Sequence, residues 1–301
     1  MDDRVKEIAV LKSVLAELMN KSGGEVYYVP NEGNAGDALI AAGMWCLFSK
    51  VGLIPKIIRT EDICPGMHVM YSGGGNFVDG YSECKNFLLK CLEVGAAEVV
   101  VLPHTIRSNL DVLGKLDERF TLFCREYKSY DWALQHAPGA RKYLADDLAF
   151  SLDLEWLERE VSGSEVWAKY VGHLAMSPKQ MIKYVLWYIK KKRVVPTLNG
   201  ALEIYRVDCE ATAEKKGVPA LDLSNLYGSK YMSRAEALII TWQFLSVLKK
   251  AKIIATNRLH VSVGGALLGV KVLLNDNSYG KNGDIYDKTL AERFDVEMIR
   301  G

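Results

Sequence analysis

The chain has 301 residues, of which 49% are hydrophobic and 25% charged, with a formal net charge of +1. This length is sufficient for two domains of ordinary size, each with its own core. The 38 basic and 37 acidic residues leave no overall field that attracts a nucleic acid. We therefore expect a small partner, with any anion bound at a local site.

The cysteines and the start of the chain indicate the compartment. The six cysteines form no Cys-x-x-Cys pair, which predicts buried, reduced thiols and no metal site. Residues 1–4, Met-Asp-Asp-Arg, lack the basic-then-apolar order of a signal peptide. No run approaches the roughly 18 apolar residues of a membrane span. We expect a cytoplasmic protein.

The first half alternates strand and helix patterns. Apolar positions at helical spacing predict a helix over residues 2–21. Strands are then predicted at 26–29, 57–58, 69–71, 98–102 and 120–124, with helices at 38–50 and 84–94 between them. This alternation is typical of a parallel, doubly wound sheet.

The second half repeats the pattern after a charged segment, 155–177, which we interpret as a connection. Strands are predicted at 202–207, 220–223, 252–256 and 271–275, and helices at 210–216, 234–250 and 261–268. We predict an α/β fold with two Rossmann-like domains, 1–160 and 161–301, facing each other across a cleft. The tail beyond Lys281 is expected to be helical and to pack back across them.

Residues 181–193 join an apolar run to four basic residues. One interpretation is peripheral contact with an anionic membrane, at the inner face of the cell membrane. The other is an amphipathic helix with a solvated basic end.

The segment Thr256-Asn257-Arg258-Leu259-His260 lies where a predicted strand ends and a helix begins. In α/β proteins this is the end of the sheet where ligands bind. Arg258 is a permanent cation, and His260 carries an imidazole that can act as a general acid. Arg206 ends the neighbouring strand, and two arginines near one sheet edge can hold a dianion.

Asn34, Gly36 and Asp37 lie in a loop between the first predicted strand and its helix. The loop lacks the first glycine of a dinucleotide fingerprint and the lysine of a P-loop, but its amides can face an anion. Asp37 is either a helix N-cap or a group that accepts a proton or hydrogen bond from a substrate hydroxyl.

Further candidates follow other strands of the first half. Three glycines before Asn76 allow close approach of a ligand, or form a plain flexible turn. The candidate binding residues here are Gly73, Gly74, Gly75, Asn76, His104, Thr105 and Arg125. Lys281, in a later loop, is a further candidate cation or an ordinary exposed lysine.

Seven motifs, in order, resemble the polysaccharide pyruvyltransferase family over about residues 25–290. They are Asn34-Ala35-Gly36-Asp37, Gly73-Gly74-Gly75-Asn76, Leu102-Pro103-His104-Thr105-Ile106, Arg125-Glu126 with Ser129, Asp147-Leu148-Ala149-Phe150, Arg206-Val207-Asp208-Cys209-Glu210 and Thr256-Asn257-Arg258-Leu259-His260. The sequence departs from the family pattern at His104, where the family has glutamine.

The resemblance implies a fold similar to the two-domain glycosyltransferase type B arrangement, with the acceptor on the N-terminal side and the donor on the C-terminal side. It implies transfer of a pyruvyl group from phosphoenolpyruvate to a sugar of a cell-envelope polysaccharide or exopolysaccharide, or its lipid-linked precursor, as a ketal. His260 would protonate the donor, Arg258 and Arg206 would hold its anionic groups, and Asp37 would assist the acceptor hydroxyl. No metal or other cofactor is expected.

Two alternatives remain open. A glycosyltransferase of the same shape would use a nucleotide sugar, and Asp276 with Asp284 is a faint match to its donor-binding acids. A non-catalytic sugar- or anion-binding protein could keep the fold. Phosphate release that depends on a sugar acceptor would distinguish the enzyme from the binding protein.

Overall fold

The computed structural model describes residues 3–192, 194–197, 199–206, 222–225, 227–229, 232–276 and 280–299. It divides into two compact units, Met1–Asn31 with Gly43–Ser151, and Glu32–Ala42 with Leu152–Gly301. The short segment 32–42 clusters with the second unit. The predicted domain limits, the cleft and the acceptor and donor sides stay predictions.

The described helices and strands follow one another in this chain order. Up to Leu144 they are α1 (Asp3–Lys21), β1 (Val26–Val29), β2 (Gly33–Asn34), α2 (Ala35–Val51), β3 (Lys56–Ile57), β4 (His68–Tyr71), β5 (Gly74–Phe77), α3 (Glu83–Val94), β6 (Glu98–Ile106), α4 (Leu110–Leu113), β7 (Phe120–Cys124), α5 (Tyr127–His136) and β8 (Arg141–Leu144). Beyond it come α6 (Leu154–Ser162), α7 (Ser164–Met176), α8 (Pro178–Lys191), β9 (Ala201–Ile204), β10 (Gly228–Ser229), α9 (Arg234–Leu248), β11 (Ile253–Thr256), α10 (Leu259–Leu267), β12 (Lys271–Asn275), α11 (Lys281–Ile285), α12 (Ala291–Arg293) and β13 (Val296–Ile299). Short 3-10 turns occupy Thr60–Asp62 and Leu148–Ser151, and a π-helical turn occupies Tyr286–Leu290.

The first unit is built on a seven-stranded parallel sheet. Its order is β3-β1-β4-β6-β7-β8, and β5 pairs with β6. Every residue of β7 is buried, as expected for a parallel strand covered on both faces. The predicted strand over 120–124 is therefore confirmed, and its run, apolar except for Thr121, is the pattern that such burial requires.

Helix α3 shows how sequence spacing covers this sheet. Cys84, Phe87, Leu88 and Cys91 recur at intervals of three and four residues and are fully buried, so one face of the helix packs into the core. The helix ends at Gly95, whose φ of 71° places it in the left-handed region and whose N–H donates to the carbonyl of Cys91.

Two predicted loops of the first unit are strands. Residues 103–106 continue β6, and Gly74–Phe77 form β5 beside them. Proline lacks the N–H of a strand ladder, which favoured a loop at Pro103. The pairing of β6 with β7 shifts register between Val101 and His104, and this irregularity accommodates the proline.

The second unit contains a four-stranded parallel sheet of order β13-β12-β11-β9. Strand β12 has the predicted bounds, and β11 and α9 agree closely with prediction. Ser233 caps α9, because its Oγ accepts the N–H of Glu236 at 3.2 Å. The α/β class is confirmed in both units.

Some predictions for the second unit are wrong in part. Segment 155–177, which we interpreted as a connection, is mostly helical, in α6 and α7. The tail beyond Lys281 is helical up to Arg293, as predicted, but it ends in strand β13. Asp222 and Leu223 lie in a loop and turn, not a strand. The predicted helix over 210–216 lies outside the described residues.

Five cysteines are described, and all have free thiols. Four are buried, and burial raises the pKa of Cys91 to about 12. Cys64 is exposed, so the prediction of burial is wrong at that position. Cys209 lies outside the described residues. Within the described part of the chain, no helix is long and apolar enough to cross a membrane.

Candidate active site

The carboxyl ends of β9 and β11 bring Arg206 and Arg258 to one edge of the second sheet. The strands are parallel neighbours, with Ile204 opposite Thr256, and each arginine follows its strand by two residues. The backbone N–H of Arg206 donates to Oδ1 of Asn257 at 2.7 Å. The two loops are therefore held together, as the sequence predicted for the arginine pair.

Arg258 is buried and paired with an aspartate that the sequence analysis did not identify. Its Nε donates to Oδ1 of Asp222 at 3.0 Å, and its Nη2 donates to Oδ2. The side chains are only 6% and 5% exposed, so this two-pronged pair holds the guanidinium in one orientation. A buried arginine requires a carboxylate nearby, but nothing in the local sequence shows which one.

His260 is in the first turn of α10 and lies against Gly36 in the first turn of α2. A β-carbon on Gly36 would lie 2.6 Å from Nδ1 and 2.9 Å from Cβ of His260. Both distances are shorter than real side chains allow, so glycine is required for the imidazole to occupy this position. The starts of two helices are thus adjacent at His260.

The start of α2 is a reciprocal cap, and this corrects the predicted helix start at residue 38. Oδ1 of Asn34 accepts the N–H of Gly36 at 2.7 Å, and Oδ2 of Asp37 accepts the N–H of Asn34 at 2.8 Å. This is the arrangement of a capping box, with Asn34 as the N-cap. One oxygen of Asp37 therefore stabilises the helix start, and its predicted role toward a substrate hydroxyl stays a prediction.

The segment around Asp222 also fixes the start of α2. Strand β2 pairs antiparallel with β10, and the N–H of Ala35 donates to the carbonyl of Ser224 at 3.1 Å. The side-chain amide of Asn34 donates to Oδ1 of Asn225 at 3.3 Å. The loop over 222–225 thus contacts both Arg258 and the start of α2, which in turn faces His260.

Asn257 is a further polar group at this edge. It is fully buried, its carbonyl accepts the side-chain amide of Asn282 at 2.8 Å, and its Oδ1 accepts the Arg206 N–H. Its Nδ2 has no hydrogen-bond partner in the part of the chain that is described. A buried donor of this kind is costly unless a ligand or water satisfies it. The sequence could have indicated Asn257 as a site residue, because it lies between the end of β11 and Arg258.

Together these residues form a site suited to an anion. Two arginines lie at the sheet edge, and the starts of α2 and α10 contribute a partial positive charge. The imidazole of His260 lies among them. The arrangement can bind an anion and transfer a proton to it.

The predicted residues of the first unit form a buried polar network within that unit. Nε2 of His104 lies 3.0 Å from the N of Asn76 and 2.8 Å from its Oδ1, while Nδ1 lies 3.2 Å from the carbonyl of Ser72. Nδ2 of Asn76 also donates to Oδ1 of Asn31 at 2.7 Å. A β-carbon on Gly74 would lie 2.9 Å from Nδ2 of Asn31, so this glycine allows close packing here. His104 has no exposed surface, and it holds β5 in place.

Thr105 and Arg125 form a second part of this network. Nε of Arg125 donates to Oγ1 of Thr105 at 2.8 Å, and Nη1 donates to Oδ2 of Asp147 at 2.7 Å. All three residues are at most 1% exposed. These contacts orient the carboxyl ends of β6 and β7, and a role in binding substrate stays a prediction.

For Gly73, Gly75 and Lys281, the remaining candidates, the structure gives positions in the chain fold only. Gly73 and Gly75 flank Gly74 at the start of β5, and the helix α11 begins at Lys281, whose side chain lies outside what is described. No cluster of three or more His, Cys, Asp or Glu side chains suited to a metal occurs among the described residues. The expectation of a reaction without a metal stays a prediction.

Comparison with known proteins identifies the family. The model of the polysaccharide pyruvyl transferase family matches residues 34–279. The chain belongs to this family. The resemblance seen in the seven motifs is therefore confirmed, and the matched range contains every predicted site residue except Lys281. Membership of the polysaccharide pyruvyl transferase family makes the protein a transferase.

Two individual proteins are similar over nearly the whole chain. EpsO of Bacillus subtilis (strain 168), a protein named provisionally as a pyruvyl transferase, is 24% identical over 305 residues, covering 95% of this chain and 92% of EpsO. The crystal structure of a functionally uncharacterised protein from Klebsiella pneumoniae subsp. pneumoniae NTUH-K2044 is 23% identical, with a TM-score of 0.75, covering 98% of this chain and 99% of that one. The second similarity concerns the fold alone.

Proposed function

We propose that the protein transfers a pyruvyl group from phosphoenolpyruvate to a sugar of a polysaccharide or its lipid-linked precursor, forming a pyruvate ketal. The observation that carries this proposal is the position of His260. It lies against the start of α2 and two residues from Arg258, at the sheet edge that also carries Arg206. In this proposal, His260 is the proton donor and its neighbours are the groups that attract the anion.

The chemistry requires one proton at carbon and the loss of phosphate. His260 protonates C3 of the enol phosphate, which leaves an oxocarbenium-like centre at C2, and a sugar hydroxyl adds there. Phosphate departs with its electron pair, and a second hydroxyl of the sugar closes the ketal. Of the two hydroxyl protons released, one restores His260 and the other is taken by phosphate.

The anionic groups of the donor match the cations of the site. Phosphoenolpyruvate carries a phosphate and a carboxylate, while Arg206, Arg258 and the starts of α2 and α10 offer positive charge. Asp222 holds the Nε edge of Arg258 in place, so Asp222 is a positioning residue for the clamp. Nδ2 of Asn257 is a further donor for a phosphate or carboxylate oxygen.

Asp37 is the residue that we assign to the acceptor. It assists the attacking hydroxyl, since a carboxylate can accept its proton as a general base and pass it on.

The test is the dependence of phosphate release on both substrates. We expect purified protein to release phosphate from phosphoenolpyruvate only when a lipid-linked or nitrophenyl glycoside is present, with a product that gains the mass of a pyruvate ketal. Thermal stabilisation by phosphoenolpyruvate is expected as well. Stabilisation by nucleotide sugars alone would instead identify a glycosyltransferase. Asp276 is one of the two aspartates on which the glycosyltransferase alternative depends. Its Oδ1 accepts the N–H of Gly283 at 3.3 Å, a contact within the chain.

Replacing Gly36 by alanine tests the contact with His260 directly. The added methyl group would lie 2.6 Å from Nδ1 of His260, so the imidazole or the helix start must shift. A displacement of about 1 Å can cost about 10²-fold in rate, and we expect a loss of that order in kcat for pyruvyl transfer.

The matched control for this change is Gly172→Ala. Gly172 is exposed in helix α7, and a β-carbon there meets no atom within 4 Å. We expect unchanged turnover and a gain in stability of about 0.5–1 kcal/mol. Equal turnover in the Gly36→Ala variant and the wild type would show that the position of His260 does not govern the reaction.

A further inference from the structure

Helix α8 exposes an apolar face that its own unit does not cover. The side chains on this face are each between 40% and 60% exposed. They are Met181, Ile182, Val185, Leu186, Tyr188 and Ile189. Successive residues of a helix are about 100° apart, so these six cover an arc of about 160° on one side of the helix.

The opposite side of α8 anchors it to the second unit. Trp187 is fully buried and packs edge-on against Tyr227, with ring centroids 5.9 Å apart. Nζ of Lys191 donates to Oε1 of Gln243 at 2.6 Å, and Nε2 of Gln243 donates to the hydroxyl of Tyr184 at 2.8 Å. Burial lowers the pKa of Lys191 to about 8. The exposed face is therefore presented by a helix that is fixed in its rotation.

The charged residues of the segment that contains α8 are all basic. Residues 178–193 contain five lysines and one arginine and no acidic residue, in a chain whose net charge is only +1. Lys179, Lys183 and Lys190 are exposed. By the same spacing they lie along one border of the apolar face, about 20–60° beyond Leu186. An apolar face bordered by lysines is complementary to the acyl chains and anionic headgroups of a bilayer.

We propose that α8 is a docking surface for an anionic phospholipid bilayer. The helix would lie in the interface with the six apolar side chains inserted and the bordering lysines at headgroup level. It has 14 residues, or about 21 Å of length, which is too short to span a bilayer core of about 30 Å. The docking is peripheral, and it does not depend on the identity of the reaction.

Vesicle co-sedimentation of the full chain tests the proposal. One set of vesicles contains equal parts of phosphatidylglycerol and phosphatidylcholine, and the other contains phosphatidylcholine alone. We expect binding to the first set and little binding to the second, with weaker binding at high salt because ions screen the lysines. Absence of binding to the anionic vesicles, or equal binding to both sets, would overturn the proposal.

Two double variants separate the apolar and basic contributions. We expect Ile182→Ser with Leu186→Ser, and separately Lys179→Gln with Lys190→Gln, each to weaken partitioning by about tenfold or more. All four side chains are exposed, so the variants should remain folded, which circular dichroism verifies.

Matched controls change the same residue types in the first unit. Ile54→Ser with Leu134→Ser, and Lys12→Gln with Lys115→Gln, alter exposed residues that do not belong to α8. We expect both controls to bind as the wild type does. If an α8 variant bound as tightly as its control, the membrane assignment would fail.

Sedimentation velocity without vesicles tests the alternative that a second copy of the chain covers this face of α8. We expect the same sedimentation coefficient for the wild type and the Ile182→Ser, Leu186→Ser variant. A dimer that is lost in this variant would assign the face to self-association and overturn docking on the bilayer.

Discussion

Replacement of His260 by glutamine is expected to lower kcat for pyruvyl transfer by about 10²-fold to 10⁴-fold, the usual contribution of general acid catalysis. Glutamine has a similar length and polarity but cannot deliver a proton to carbon at neutral pH. The anion-binding groups of Arg206 and Arg258 remain, so calorimetry should show that phosphoenolpyruvate still binds. A loss in kcat with retained binding identifies proton transfer as the missing step.

The control for this change is His136→Gln. His136 ends helix α5 in the first unit, where its ring lies 4.1 Å from that of Trp132, and we place it in no part of the site. Its replacement should leave kcat within about twofold of the wild type, since it touches no reacting group. If His260→Gln and His136→Gln gave the same turnover, the proton donor would have to be a different group.

Elements with a mainly apolar run were predictable from local pattern. Strands over 120–124 and 271–275 were predicted with the bounds that they have. The first is buried throughout, as its mainly apolar run requires, and the second buries Val272 and Leu274. Strand β13 was missed since Glu297 interrupts its apolar run. The extension of β6 beyond Pro103 was missed because its neighbour β5 is built on glycines, which carry no strand signal.

The candidate site was predictable in its residue types and in part of its geometry. Arg206 and Arg258 follow the carboxyl ends of neighbouring strands, and this follows from the order of elements in a parallel sheet. The pairing of Arg258 with Asp222 and the contact of His260 with Gly36 join residues 36 and 224 positions apart. Such contacts depend on tertiary packing, so no local pattern indicates them.

Removal of the carboxylate of Asp147 is expected to have the largest effect on stability. Arg125 and Asp147 are 0% and 1% exposed and pair at 2.7 Å. Nη2 of Arg125 has no hydrogen-bond partner among the described residues, so little else compensates the charge. Asp147→Ala leaves a buried guanidinium without its counter-charge, which typically costs about 3–5 kcal/mol. Oδ1 of Asp147 also accepts the N–H of Ala149 at 2.9 Å, and this bond is lost too.

Urea denaturation measures this effect, and two controls isolate its cause. Asp111→Ala removes an exposed partner of Lys85, with side chains 59% and 32% exposed, and should cost no more than about 1 kcal/mol. The double change Arg125→Met with Asp147→Leu removes both buried charges, so we expect it to be more stable than Asp147→Ala alone. If the double variant were as unstable as Asp147→Ala, the loss would come from packing and the cap on Ala149. If it recovers, the unpaired charge of Arg125 is the cause, and the pair stabilises the carboxyl ends of β6 and β7 chiefly by keeping that charge neutralised.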